Sequence, residues 1–487
     1  MGFIVRMFFI RNLRAEYLGV NGLFSNVLTM LSLAELGIGS AIVYNMYKPL
    51  AVKDKVQIAR LMNLYKNAYR IIGIVVAFLG VCIIPFLKYL VVDAPEIDYL
   101  TEIYLMFLLN SVLSYFLAYK KSIFSADQRE RVITVFNFIF TLVKNAIQII
   151  SLIVFHSFIL YLAIQIVCTF IENVMISVYA NKCYPFLNQY AKERLSAEER
   201  KPIIKNVQAL FMYKIGGVLL NGTDNIIISA FDGLISVGLL SNYTMVTGGV
   251  QALISKITGG LTGSIGNYIA KEESGKHEEM LMNITFLHFI LYGLLFVGSM
   301  AILNPFVEIW AGKEYLLDFW IVFVLCLNIY IEGMMNAVWT FRTTMGLFAH
   351  GKYLPLMAAA VNLFVSIWFA KYWGLLGVLL GTTVSKAVTA IWPAPYVVYR
   401  YGMYRSPIKY YLRWASYFGT TIVVILLVSF IKSKIVLTGI PAILIYGVIS
   451  VLLFAFVIIL FYGKSDEYKY AKGTIIKVFD KLIMTKK

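Results

Sequence analysis

The sequence predicts an all-α polytopic membrane protein. Three observations carry that prediction. Of 487 residues, 60% are hydrophobic and 14% are charged, with a mean hydropathy of +0.77; a soluble domain carries about 25% charged residues. Several apolar runs reach about 20 residues, the length that crosses a hydrocarbon core as helix. The basic residues gather in alternate loops, as repeated crossings require.

Polar punctuation cuts the chain into elements. An apolar stub covers residues 3–13, and full spans follow near 22–46, 68–92, 99–119, 132–156 and 158–181. Together, 1–181 reads as an N-terminal lobe with a partial first span plus five. Residues 182–206 read as a cytoplasmic inter-lobe linker, with Ser196 placed as a helix N-cap before Ala197-Glu198-Glu199. Spans near 207–231, 235–268, 283–304, 318–341, 353–371 and 374–399 make a six-span C-terminal lobe, 207–400. Two additional spans, near 411–431 and 439–462, fill 401–463, and 464–487 is a basic cytoplasmic tail. The near-identical pentapeptides Gly22–Asn26 (GLFSN) and Gly238–Asn242 (GLLSN) open the second span of each lobe, as parallel repeats about the membrane normal demand. The thirteen residues 1–13 give only about 20 Å of helix, so the first span is expected to be truncated.

Charge placement tests this map. With the C-terminal tail inside, thirty-one of the 43 basic residues fall in inside segments and seven in outside segments. The net charge of +17 is therefore mostly topology and attraction to anionic headgroups. Spread over many short loops, it gives a nucleic-acid partner no support. The start lacks a cleavable signal, and Arg6 stands where myristoylation needs Ser or Thr. Cys82, Cys168, Cys183 and Cys326 have neither metal nor redox spacing and read as buried small hydrophobes.

The same map narrows the function. The outside loops are too short to hold an acceptor for a sugar polymerase or transferase, and no Gly-rich nucleotide loop follows a strand. The glycines of 259–266 lie within a span and read as close helix packing or a hinge rather than a phosphate cradle. What remains is a set of ionisable residues inside spans: the cations Arg6, Lys144, Lys214, Lys256 and Lys386, and the acids Glu35, Glu172, Asp224 and Glu332. Facing lipid, each would cost about 2.5–3.5 kcal/mol on insertion scales, so such residues mark a translocation path. Lys144 and Gln148 share one helix face, as do Lys214, Asn221 and Asn225, and Asn328, Glu332 and Asn336. Interspan ion pairs, Lys214 with Glu172 for instance, and a snorkelling Lys256 are the competing structural explanation. A cavity with several cations suits an anionic cargo.

Phe3-Ile4-Val5-Arg6, the stretch 15–24 (AEYLGVNGLF) and the stretch 31–41 (LSLAELGIGSA) resemble the start of bacterial polysaccharide flippases. These belong to the multidrug/oligosaccharidyl-lipid/polysaccharide exporter superfamily. Tyr213-Lys214-Ile215-Gly216, Thr223-Asp224-Asn225, Asn304-Pro305-Phe306, Trp310 with Gly312-Lys313-Glu314-Tyr315, Gly346-Leu347-Phe348 and 371–375 (KYWGL) resemble the same family. The resemblance implies two pseudo-symmetric six-helix lobes plus two C-terminal helices. It also implies alternating access in the bacterial cytoplasmic membrane, with the C-terminus cytoplasmic. The cargo it implies is a polyprenyl-diphosphate-linked oligosaccharide repeat unit, carried to the outer leaflet for capsule, exopolysaccharide or O-antigen-type export.

Arg6 matches the family's first-helix arginine. The remaining cations rest on the residue argument, and Asp224 and Glu35 are the candidates for ion coupling or for orienting the cations. No cofactor or metal is expected. The expected partners are the lipid-linked substrate, membrane lipids and other polysaccharide-assembly proteins, with the chain a monomer. The membrane potential, proton exchange or sodium exchange supplies the energy. The rival functions are a drug or cation antiporter of the same superfamily, whose cavity should be acid-dominated, and a flippase for lipid II or a teichoic precursor.

Overall fold

The structure is a computed structural model that describes residues 2–13, 15–32, 38–91, 97, 99–204, 207, 222–259, 265, 268–269, 274–347, 350–351 and 353–474. Among these residues every regular element is helical, and eight helices are long and apolar enough to cross a membrane. The chain is an all-α, multi-pass membrane protein. It divides into two compact units, Met1–Gly238 and Leu239–Lys487.

Unit 1 contains α1 (Gly2–Asn12), α2 (Ala15–Leu31), α3 (Ile38–Ala51), α4 (Lys55–Ile83), α5 (Leu100–Ala118), α6 (Lys121–Ala126), α7 (Glu130–Phe155), α8 (Phe158–Cys183) and α9 (Asp224–Asp232). The span expected over 22–46 is instead shared between α2 and α3, with residues 33–37 outside the described part. The pentapeptide at Gly22–Asn26 lies within α2. α4 starts where the Asp54 carboxylate accepts the Gln57 N–H at 2.9 Å. α7 and α8 form a tight hairpin: His156 turns the chain in the left-handed region, and the Ser157 hydroxyl accepts the Leu160 N–H at 3.3 Å. α5 packs on α4 and α8, α7 on α8, and α1 on α7.

Helix α7 buries Asn145, Gln148 and Ser151 while exposing Phe138, Ile139, Ile150 and Phe155. In water that pattern would be unstable. In hydrocarbon it is the favourable one, because polar groups need protein partners and apolar ones do not. Cys168 is buried as expected, whereas Cys82 is exposed on α4 beside Leu79 and Val81.

The stretch after α8 is tied to the start of α4. The Asn63 amide donates to the carbonyls of Tyr190 (3.2 Å) and Glu193 (2.8 Å), and Arg60 pairs with Glu193 at 3.2 Å. Ser196 caps the next turn as expected. Its hydroxyl accepts the Glu199 N–H at 3.2 Å, while the Glu199 carboxylate accepts the Ser196 N–H at 2.8 Å, completing a capping box.

α10 (Leu234–Gly259) begins at the division between the units. Unit 2 continues with α11 (Ser274–Trp310), α12 (Phe319–Thr344), α13 (Leu354–Lys386), α14 (Ile408–Lys434) and α15 (Gly439–Tyr462). α11 packs against α12, α14 and α15. Phe289 stacks on Tyr417 at 4.6 Å, with Phe454 and Tyr462 edge-on to it at 5.6 and 5.7 Å. Gly293 permits this approach, since a Cβ there would stand 2.6 Å from the Phe454 ring. The spans expected over 353–371 and 374–399 are both present, as two arms that fold back on each other at Gly374 (φ 51°, ψ −128°): the Asn362 amide donates to the Thr382 hydroxyl at 2.9 Å, the Ser366 hydroxyl to the Val378 carbonyl at 3.2 Å and the Ser385 hydroxyl to the Ala358 carbonyl at 2.6 Å. Only glycine occupies that backbone region at little cost.

Candidate functional site

Unit 1 brings Arg6, Lys144 and Glu172 onto one wall. Phe9 of α1 packs against Phe158 and Tyr161 of α8, with ring separations of 5.5 and 5.3 Å. One turn earlier, Arg6 is half-buried and within electrostatic reach of Tyr161. Gln148 is buried and donates its amide to the Tyr161 carbonyl at 3.1 Å. Four residues back along α7, Lys144 is half-buried, within electrostatic reach of Cys168, and makes no hydrogen bond or ion pair among the described residues. Glu172, one turn beyond Cys168, takes Lys121 of α6 at 3.0 Å. Asn145, Ser151 and Asn173 are also buried on α7 and α8; the Ser151 hydroxyl and Asn173 Oδ1 have no hydrogen-bond partner among the described residues. Such groups cost free energy in an apolar interior, so this wall is suited to water or to a polar, anionic guest.

Unit 2 treats its cation differently. Asn328, Glu332 and Asn336 share a face of α12, and each has a partner. Lys386 Nζ lies 2.9 Å from Glu332 Oε2 and donates to the Asn328 carbonyl at 3.1 Å. The Asn328 amide donates to the Leu379 carbonyl at 2.9 Å, and its oxygen accepts the Thr383 hydroxyl at 3.0 Å. The Asn336 amide donates to the Tyr292 hydroxyl at 3.3 Å. Buried His288 meets the Gly333 carbonyl at 2.7 Å through Nδ1, which must therefore carry the proton. Lys386 is thus neutralised inside its own unit.

The other expected site residues are scattered or out of view. Lys256 is exposed in the last turn of α10. Asp224 is half-buried at the start of α9, which packs on α2. Lys214 and Glu35 lie outside the described residues; Glu172, named as a partner for Lys214, is held by Lys121. Lys121 was not singled out from the sequence because it lies in a loop-edge basic pair, where charge placement alone accounts for it. Its i-to-distant pairing with Glu172 leaves no trace in local spacing.

Residues 1–261 match the family described as polysaccharide biosynthesis protein. No curated protein matches the sequence. Among solved structures, the fold is similar to a multidrug resistance MATE family transporter of the MOP superfamily in its inward-facing conformation, with a TM-score of 0.66 at 13% identity over 82% of this chain and 93% of that one. It is similar also to the lipid II flippase MurJ in an inward closed conformation, with a TM-score of 0.62 at 12% identity over 92% and 97% of the two chains. A mutant of the Vibrio cholerae MATE transporter VcmN gives 0.51 at 15% identity over 82% and 92%. At these identities the likeness is one of fold.

Proposed function

This chain belongs to the polysaccharide biosynthesis protein family, and we propose that it is a flippase for a polyprenyl-diphosphate-linked oligosaccharide repeat unit. The carrying observation is the wall of unit 1. Arg6 on α1 and Lys144 on the membrane-crossing α7 are half-buried, amid buried amides, and the acid on that wall, Glu172, is occupied by Lys121. A diphosphate passing this wall exchanges hydration for fixed cations, and the sugars exchange theirs for amide and hydroxyl groups. The polyprenyl tail remains in lipid throughout.

The chain would work by alternating access in the bacterial cytoplasmic membrane, with its basic loops and C-terminus on the cytoplasmic side. It would act as a transporter and not as an enzyme, for capsule, exopolysaccharide or O-antigen-type export. Lys214 would contribute a further cation, with Asp224 and Glu35 as coupling or orienting acids. Moving two negative charges outward across a membrane negative inside gains about 4.6 kcal/mol per 100 mV. The potential therefore favours export without a cofactor, and proton or sodium exchange is the alternative drive. A lipid II or teichoic-precursor cargo is the second reading, favoured by the likeness to the MurJ fold.

In proteoliposomes carrying a labelled polyprenyl-diphosphate oligosaccharide, Arg6→Ala, Lys144→Ala and Lys214→Ala should each slow flipping at least tenfold while leaving membrane insertion intact. Flipping at the wild-type rate in all three variants would overturn the anionic-cargo reading.

A further inference from the structure

Four cations meet at one corner of unit 1, where α4 passes the α5–α6 turn. The Ser122 hydroxyl lies 3.7 Å from the Met62 sulfur, and the Tyr69 ring packs on Tyr115 at 5.9 Å. These contacts bracket Lys66 and Arg70 on α4 against the turn that carries Tyr119 and Lys120. Lys66, Lys120 and Lys121 are all half-buried. The charges are poorly matched. Lys120 finds the neutral Asn181 Oδ1 at 2.7 Å, and among the described residues only Lys121 reaches an acid, Glu172. Lys66 and Arg70 make no hydrogen bond or ion pair among the described residues. Burial and the neighbouring Lys66 hold the Lys120 ammonium below its ordinary value, the response of a cation cluster short of an anion.

The depth of the corner is informative. Exposed apolar side chains begin at Ile71 on α4, end at Phe116 on α5 and end at Tyr179 on α8. The corner therefore stands at the edge of the apolar belt, at headgroup level. The positive-inside pattern calls for basic residues near such an edge, but not for several half-buried in one corner that pair with one acid among the described residues.

We propose that this corner is the receiving site for the diphosphate of the lipid-linked cargo in the inner leaflet, resting on the flippase reading and orientation above. Lys66, Arg70 and Lys120 hold the anion, and Lys121 leaves Glu172 to join them. From Asn181 to Glu172 is nine residues of α8, about 13 Å, and Cys168 beside Lys144 is about 6 Å further. Lys121 thus stands between the headgroup level and the first cation of the membrane wall, with Glu172 as the counter-ion that the phosphate displaces.

The test uses the full chain in lipid nanodiscs, titrated separately with a long-chain polyprenyl diphosphate and with phosphatidylglycerol. Each cation near an anionic headgroup contributes about fivefold in affinity. The double variant Lys120→Gln with Lys121→Gln should therefore bind the diphosphate about 25-fold more weakly, and phosphatidylglycerol, a monoanion, no more than fivefold more weakly. Lys120→Arg with Lys121→Arg should retain wild-type affinity, separating charge from folding. Glu172→Gln should bind the diphosphate more tightly, which a purely structural ion pair would not produce. Unchanged diphosphate binding in the Gln double variant overturns the site, as does an equal loss for both lipids. Wild-type protein that neither binds nor flips the diphosphate lipid overturns the flippase reading itself.

Discussion

Pro305 stands inside α11. It has no N–H, so the Ala301 carbonyl four residues back loses its helical donor. Lys432 of α14 fills that place. Its ammonium donates to the Ala301 oxygen at 2.9 Å and to the Met300 oxygen at 3.2 Å, and lies 5.4 Å from the centroid of the Tyr446 ring. Lys432→Met keeps most of the stem and removes the donor. An unpaired buried carbonyl costs about 1–3 kcal/mol, and loss of the cation–π contact adds about 0.5–1 kcal/mol. The expected destabilisation is about 2–4 kcal/mol. Pro305→Ala returns an N–H to the Ala301 carbonyl. In that background Lys432→Met should cost at least about 1 kcal/mol less. The four members of this cycle can be compared by denaturant unfolding in detergent micelles, followed by tryptophan fluorescence. Costs that add within about 0.5 kcal/mol would show the two sites to be independent and would refute the reasoning.

Two further outcomes follow from the same geometry. Glu332 is half exposed, with 49% of its side chain accessible, so the Lys386 pair is screened and Glu332→Gln should cost no more than about 1 kcal/mol; a loss above about 3 kcal/mol in the same unfolding assay would mean an unscreened, buried pair. Glu199 is held below the ordinary carboxylate value, chiefly by the Ser196 N–H. Its capping contribution is therefore complete above the unfolded glutamate value of about 4.3 and is lost as pH falls through the lower folded one. Hydrogen exchange across 196–204 should accelerate on acidification in that window, and Glu199→Gln should remove the pH dependence.

Much of the architecture was legible because lipid imposes simple periodicities. Spans near 132–156, 158–181, 411–431 and 439–462 coincide with α7, α8, α14 and α15 within a few residues, since each is a long apolar run ended by Ser157, Lys182, Lys432 or Gly463. The Ser196 cap was legible for the opposite reason, as a local polar motif. The division of 22–46 was not, because the apolar run masks where a helix ends inside it. Nor was the role of Lys432. It looked like a loop residue, and its work depends on a proline in a different helix, 127 positions away in sequence.

The site posed a harder problem, which Lys144 and Lys386 make concrete. Both are lysines within apolar runs, and by sequence they count equally towards a cationic path. In space Lys386 is already served by Glu332 and the Asn328 carbonyl, while Lys144 makes no such contact. An anion approaching Lys386 must first compete with a carboxylate 2.9 Å away, whereas one approaching Lys144 meets an open ammonium. Affinity for an anionic headgroup should therefore fall much further with Lys144→Gln than with Lys386→Gln, even though both remove one positive charge. The relevant quantity is local net charge on a wall, and a count of cations along the chain overstates it wherever an acid one or two helices away has already been recruited.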